Sequence, residues 1–178
     1  MLLYERWPMR VSVKQITMIG IFAALSLIIF MVEAELPVFE GGGIKLGLAN
    51  IVTLCSMKLL GRKEAGAVLA VRVLLASVFC GSAISLIFSA SGAFLAYTVM
   101  CLLIGRLDDR QLWVVSVLGA IGHNLGQTFA AYFVCGSAIA FSMLPYLLIS
   151  AVITGALVGI VSMKLVSSPL RRFSMAKK

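Results

Sequence analysis

Charged residues are scarce in this chain, and their scarcity excludes most classes of soluble protein. Only 12% of the 178 residues are charged, whereas a soluble domain averages about 25%. Hydrophobic residues make up 61% of the chain, and the mean hydropathy is +1.08. A surface with so few charges is not suited to water, so we expect an integral membrane protein without a soluble domain.

The sequence motifs that would indicate an enzyme are also missing. There is no GxxxxGK[ST] phosphate loop, which indicates that the chain does not itself hydrolyse ATP. There is no DDxxD-type acidic cluster for magnesium diphosphate, and the pair Asp108-Asp109 stands between two arginines in a short turn, as a solvated loop would. His123 is the sole histidine, and no aspartate falls inside an apolar run, so no Ser/His/Asp arrangement can be assembled. We therefore expect no enzymatic activity.

Cysteine usage indicates neither a disulfide framework nor a metal site. The four cysteines occur singly, each inside an apolar run, with no CxxC pair and no His/Cys cluster. Buried free thiols are the expected state. We expect no metal and no cofactor.

What the chain does contain is a series of apolar runs separated by turn residues and charges. A helix that crosses the hydrocarbon core needs roughly 20 apolar residues. The sequence therefore predicts an all-α, six-helix transmembrane bundle that forms one domain over residues 1–178. The predicted spans are about 16–36, 44–60, 65–82, 84–104, 112–135 and 143–166.

The distribution of basic residues predicts the orientation of these spans. In a six-span arrangement, lysine and arginine fall on one side, except for Lys45 and the intramembrane Arg72. Glu33, Glu35 and Glu40 fall on the other side. The positive-inside rule then places both chain ends in the cytoplasm. This asymmetry and attraction to anionic lipid account for the excess of 15 basic over 7 acidic residues, so nucleic acid is not an expected partner.

A few polar residues at membrane depth are the candidates for ligand binding, because such residues are expensive in lipid and usually functional. His123 and Gln127 share one helix face through their i, i+4 spacing. Each candidate also has a purely structural alternative: Lys45 reaching the headgroups, Asn50 or Gln127 bonding a neighbouring helix, or His123 satisfied within the core. The candidates are Lys45, Asn50, Arg72, His123, Asn124 and Gln127.

Arg72 is the hardest of these residues to explain structurally. Its insertion costs about 2.5–3.5 kcal/mol even on the most lenient scale. No Asp or Glu is expected near its depth, since Glu33 and Glu35 are placed closer to the outer surface. A buried cation without a carboxylate partner predicts an anionic ligand or a water-filled cavity.

Two motifs and the isolated arginine of the third span resemble a known family. The run GGGIKLGLANIVTL and the GxxGHNLGQ pattern of the fifth span are similar to the Gx transporter family, widely labelled heptaprenyl diphosphate synthase component I. That family is related to the substrate-binding S components of energy-coupling factor (ECF) transporters. The resemblance extends from about Thr17 to Val166.

The resemblance implies a bacterial, multi-pass protein of the cytoplasmic membrane, with six helices and a pocket that opens outward. S components deliver nutrients to a transmembrane coupling protein that carries two ATPases, and they dock through small residues spaced four apart on the first helix. Gly20, Ala23 and Ala24 are the matching residues here. A small, anionic nutrient or precursor is the implied substrate.

Two alternatives remain open from the sequence. The family label fits an accessory membrane subunit that works beside a soluble heptaprenyl diphosphate synthase in isoprenoid-quinone metabolism. An oligomeric small channel or carrier is the other alternative, although the two halves show no evident repeat of the kind found in many carriers.

Overall fold

The protein is helical throughout the residues that the computed structural model describes, which are 12–35, 47–80, 83–136 and 138–168. These residues form six α-helices and two short 3-10 segments, Asp109–Gln111 and Ala138–Phe141, with no strand among them. The helices are α1 Val13–Glu35, α2 Ala49–Leu59, α3 Arg62–Cys80, α4 Ala83–Leu103, α5 Leu112–Cys135 and α6 Leu144–Ser167.

Each of the six predicted apolar runs overlaps one of these helices, and three helix starts differ from the prediction by three residues or more. Helix α1 begins at Val13, three residues before the predicted start. Helix α2 begins only at Ala49, after Gly47 in the left-handed region and a turn at Leu48. Helix α3 begins at Arg62, three residues before the predicted start, so the α2–α3 turn is reduced to Leu60 and Gly61. Gly61 has φ +123°, a conformation that glycine adopts without steric cost, and this allows so short a turn.

Three segments are long and apolar enough to cross a membrane: Val13–Glu33, Leu86–Leu103 and Ile139–Ser167. The protein is therefore a multi-pass membrane protein. Helix α2 is apolar but has only 11 residues. Helix α3 contains Arg72, and α5 contains His123, Asn124 and Gln127. Both helices are continuous, but these polar residues interrupt their apolar sequence.

Close backbone packing joins α4, α5 and α6. A Cβ atom built on Gly126 of α5 would lie 2.6 Å from the Ser91 carbonyl oxygen of α4. One built on Gly155 of α6 would lie 2.7 Å from Val117 Cα of α5. Glycine at these positions is what lets the helices approach so closely. On the other side of the bundle, α1 packs against α2 and α3, and α2 packs against α6.

One end of the bundle carries most of the described basic residues, and we call it the basic end. Three contacts hold it together: Lys58 Nζ lies 2.7 Å from Asp109 Oδ1, the Tyr97 hydroxyl donates to the Arg62 carbonyl oxygen, and Gln15 donates to Glu64. A buried apolar cluster that includes Leu54, Met100, Leu112 and Val166 fills this half of the bundle. The basic residues are Lys14, Lys58, Arg62, Lys63, Arg106, Arg110 and Lys164.

Candidate functional site

A cavity of about 60 Å³ lies among α1, α2, α3, α5 and α6, beyond the apolar cluster as seen from the basic end. Five of the six residues predicted to bind ligand line it. The sixth, Lys45, lies outside the described residues. The five lining residues are Asn50, Arg72, His123, Asn124 and Gln127.

Helix α5 contributes three of these side chains because its glycines and its polar residues lie on different faces. Gly119, Gly122 and Gly126 meet α4, and the polar side chains are directed toward the cavity. Gly92 of α4 provides the space beside them, since a Cβ there would lie 2.8 Å from Gln127 Cγ and 2.9 Å from the His123 carbonyl oxygen.

Asn124 also has a structural role. Its amide nitrogen donates to the Leu147 carbonyl oxygen of α6 at 2.7 Å. This hydrogen bond joins α5 to the first turn of α6 at the wall of the cavity, so one of the two Asn124 amide hydrogens is used within the fold.

Arg72 lies in the middle of α3 and is 4% exposed. Its Cζ is 5.8 Å from the centre of the Phe30 ring, within the range of a cation–π contact. Its Nε and Nη2 atoms have no hydrogen-bond partner among the described residues. These two nitrogens form one edge of the guanidinium plane, and this edge can hold a carboxylate or phosphate by two parallel hydrogen bonds.

The prediction that no carboxylate lies near Arg72 was wrong. Glu33 of α1 is 7% exposed, lines the same cavity and interacts electrostatically with Arg72. The backbone N–H groups of Gly47 and Leu48 donate to its carboxylate, the second at 3.0 Å. The N-terminus of α2, where the helix dipole favours negative charge, therefore holds Glu33 inside the bundle rather than at its outer surface.

Sequence reasoning missed several residues of the cavity wall besides Glu33. Ser150 and Thr154 of α6 line it, and so does Phe30 of α1. Ser150 and Thr154 have the i, i+4 spacing of one helix face, and the Thr154 hydroxyl donates to the Ser150 carbonyl oxygen at 2.9 Å. That spacing, together with a glutamate near the end of an apolar run, was the available signal in the sequence.

The three predicted docking residues do not share one environment. Gly20 and Ala24 are exposed on the outer face of α1, and a Cβ built on Gly20 would have no neighbour within 4 Å. Ala23 is only 2% exposed and faces the interior of the bundle. A partner helix on this face would therefore contact Gly20 and Ala24 directly, and Ala23 would not take part.

The remaining sequence candidates form no further site in the described part of the chain. Asp109 of the acidic pair forms the ion pair with Lys58 at the basic end. Cys55, Cys101 and Cys135 are free thiols, but only Cys55 is buried; Cys101 is half-buried and Cys135 is exposed, so the expectation of buried thiols was wrong for Cys135. No group of three or more His, Cys, Asp or Glu side chains with the geometry to hold a metal ion occurs in the described segments.

A family model described as heptaprenyl diphosphate synthase component I matches residues 22–165, which is well over half of the chain. No curated protein and no solved structure matches the chain.

Proposed function

The chain belongs to the heptaprenyl diphosphate synthase component I family, and we propose that it is the substrate-binding subunit of an ECF-type transporter. In this role it captures a small molecule with an oxyanion group from outside the cell. A transmembrane coupling protein and two partner ATPases then drive uptake. The observation that carries the proposal is the edge of Arg72, which has no partner among the described residues and lines a cavity inside a membrane protein.

The energetics of Arg72 favour a ligand over a purely structural role. Burying a cation in a membrane protein is costly, and leaving its donors without partners adds to that cost. An oxyanion at the Nε–Nη2 edge would satisfy both donors at once. Asn50 and Gln127, which line the same cavity, would orient the rest of the ligand through neutral hydrogen bonds.

The size of the cavity limits what it accepts without rearrangement. Its volume of about 60 Å³ admits one small polar group, whereas pockets for whole ligands usually span about 300–1,000 Å³. Capture of a nutrient would therefore require the lining side chains to move apart. Phe30 and His123 are half-buried rather than fully packed, which favours them as the side chains that move.

We propose that the chain crosses the bilayer six times, with both chain ends in the cytoplasm. Helix α2, with 11 residues, is by itself shorter than a full span. The gathering of basic residues at one end supports this orientation through the positive-inside rule. Trp113 and Tyr132 are both exposed on α5 and lie about 28 Å apart along it, close to the thickness of the hydrocarbon core, about 30 Å. Aromatic residues of this kind are enriched at the two membrane interfaces, which supports a span for α5 despite its polar residues.

We further propose that the coupling protein docks on the outer face of α1. Gly20 and Ala24 are exposed there one helical turn apart, and small residues at this spacing allow close approach of another helix within a membrane. In this proposal the chain catalyses no reaction and takes no cofactor, since its part is to bind and release.

The family description favours a second candidate function. An accessory membrane subunit that works beside a soluble heptaprenyl diphosphate synthase would accord with the words of that description. Its role would lie in isoprenoid-quinone metabolism, with the catalytic residues on the partner.

Affinity purification of the tagged chain from native membranes distinguishes the two candidates. The transporter proposal predicts that a coupling protein and two ATPases are recovered, and that Gly20→Leu reduces their recovery. Recovery of a prenyl synthase without ATPases would support the second candidate. An exposed substitution on another helix, Phe94→Leu, is the control, and it should recover the same partners as the unmodified chain.

A further inference from the structure

Two opposite charges line the candidate cavity without pairing with each other. Glu33 and Arg72 are both buried and both belong to the cavity wall. The ion pair found among the described residues joins Lys58 to Asp109, and none joins Glu33 to Arg72 there. Glu33 is instead held by two backbone N–H groups at the N-terminus of α2, while Arg72 lies against Phe30. Part of the cavity therefore separates a carboxylate from a guanidinium.

Within the described residues, both charged groups keep unused hydrogen-bonding capacity. An ionised carboxylate offers about four lone-pair sites, and hydrogen bonds from Gly47 and Leu48 account for two of those on Glu33. Nε and Nη2 of Arg72 have no partner among the described residues. The separation therefore leaves an acceptor on one side of the cavity and two donors on the other.

The charge balance of the wall restricts the ligand further. Apart from His123, the other described side chains of the wall carry no ionisable acid or base, so the charges of Arg72 and Glu33 offset each other. A purely anionic ligand would leave an uncompensated negative charge in the membrane interior next to Glu33, which is unfavourable. A ligand that carries one positive and one negative charge would leave no uncompensated charge in the cavity.

We infer that the substrate is a small zwitterion, with its oxyanion on the Nε–Nη2 edge of Arg72 and a protonated nitrogen on the Glu33 carboxylate. This inference rests on the proposed function and adds that the ligand carries a positive charge besides its oxyanion. Asn50 and Gln127 lie on the same wall and would contact the neutral part of the molecule. Glu33 thus becomes a specificity-determining residue that also caps α2.

The probe for this inference is the small-molecule fraction of a deproteinised cell extract. The full chain in lipid nanodiscs is incubated with that fraction and washed, and the retained compounds are identified by mass spectrometry. We expect the retained compound to contain both an acidic group and a basic nitrogen. Glu33→Gln and Arg72→Gln should each reduce retention about tenfold or more, since each removes one charge-assisted contact.

The sign of the Glu33→Gln effect decides between a zwitterion and a simple anion. For an anion, removal of the neighbouring carboxylate relieves repulsion, so retention would stay the same or increase and the inference would be overturned. Lys164→Gln on the exposed basic end of α6 removes a charge far from the cavity and should leave retention unchanged. If Glu33→Gln does not fold, the chemical structure of the compound retained by the unmodified chain still decides, because a compound without a basic nitrogen refutes the inference.

Failure of the inference is distinguishable from failure of the proposed function. Loss of retention with Arg72→Gln but not with Glu33→Gln would leave the transporter proposal intact. It would refute only the inference that the ligand carries a protonated nitrogen. Retention of nothing by the unmodified chain, or retention by both variants equal to that of the unmodified chain, would contradict the proposed function itself.

Discussion

The substitution Arg72→Gln tests whether the buried guanidinium serves the fold or the ligand. In the ligand-free protein it replaces two buried guanidinium donors, which have no partner among the described residues, with a shorter, neutral amide. An unsatisfied buried donor costs about 1–3 kcal/mol. The contact with the Phe30 ring, which the substitution also removes, contributes about 0.5–2 kcal/mol in the opposite direction.

Two further terms reduce the expected gain. Glu33 loses its electrostatic attraction to Arg72 but keeps its two backbone hydrogen bonds, so it is not left unsatisfied. The shorter glutamine also leaves some space beside Phe30, which lowers the packing energy. We therefore expect a change in the free energy of unfolding between zero and a gain of about 2 kcal/mol.

Reversible unfolding in mixed detergent micelles, followed by circular dichroism, measures this change, and binding is measured in parallel by ligand retention. Arg72→Gln should reduce retention about tenfold or more without loss of stability. Arg72→Lys keeps the positive charge but removes the planar guanidinium edge. If the oxyanion accepts two parallel hydrogen bonds from that edge, this substitution should weaken retention about tenfold or more. Lys164→Gln is the control for removal of a positive charge from an exposed position.

The opposite result would refute the reasoning. If Arg72→Gln lowered the free energy of unfolding by more than about 2 kcal/mol while the folded fraction still retained ligand, Arg72 would be a structural cation that pairs with Glu33. The inference of an oxyanion at its edge would then be wrong.

Three further predictions concern helix packing, the docking face and the topology. Gly126→Ala should destabilise the protein by about 1–3 kcal/mol relative to Gly20→Ala in the same unfolding assay. A Cβ at position 126 would meet the α4 backbone at 2.6 Å, whereas a Cβ at position 20 would have open space. Equal stabilities of the two variants would refute the close packing. Ala24→Leu should impair recovery of the coupling partner but leave ligand retention unchanged, and normal recovery would exclude the outer face of α1 as the docking face. In a variant without native cysteines, a cysteine at Ser142 should be labelled from outside, and one at Lys63 only after permeabilisation; the reverse would invert the topology.

Helix positions could be predicted from the sequence because apolar runs and their interruptions are local features. The fifth helix, Leu112–Cys135, has the predicted bounds, and the divided third and fourth helices follow from the length of a membrane span. The start of α2 could not be predicted in the same way. Its run of apolar residues begins earlier than the helix does, since Gly47 has a left-handed conformation before the first helical turn.

Clustering of the intramembrane polar residues was also predictable, but the direction of each side chain was not. The cost of polar groups in lipid indicated that Asn50, Arg72 and Gln127 would turn inward, and they line one cavity. The cost alone did not show that Asn124 uses one amide hydrogen on Leu147, or that Ala23 is buried while Gly20 and Ala24 are exposed. Those features depend on how α1 and α6 are rotated, and apolar residues occur on all sides of both helices.

Glu33 shows why the depth of a residue along its own helix does not determine its surroundings. Counting along α1 places it near the outer end of the span, where a carboxylate would be expected to meet water. However, the next described helix begins beside it, and a helix N-terminus has backbone N–H groups that no residue within the helix can satisfy. The carboxylate supplies the acceptors for two such groups at Gly47 and Leu48 and is buried as a result. Since the same contact holds Glu33 beside the cavity of Arg72, the capping of α2 and the charge balance of the candidate site cannot be changed independently.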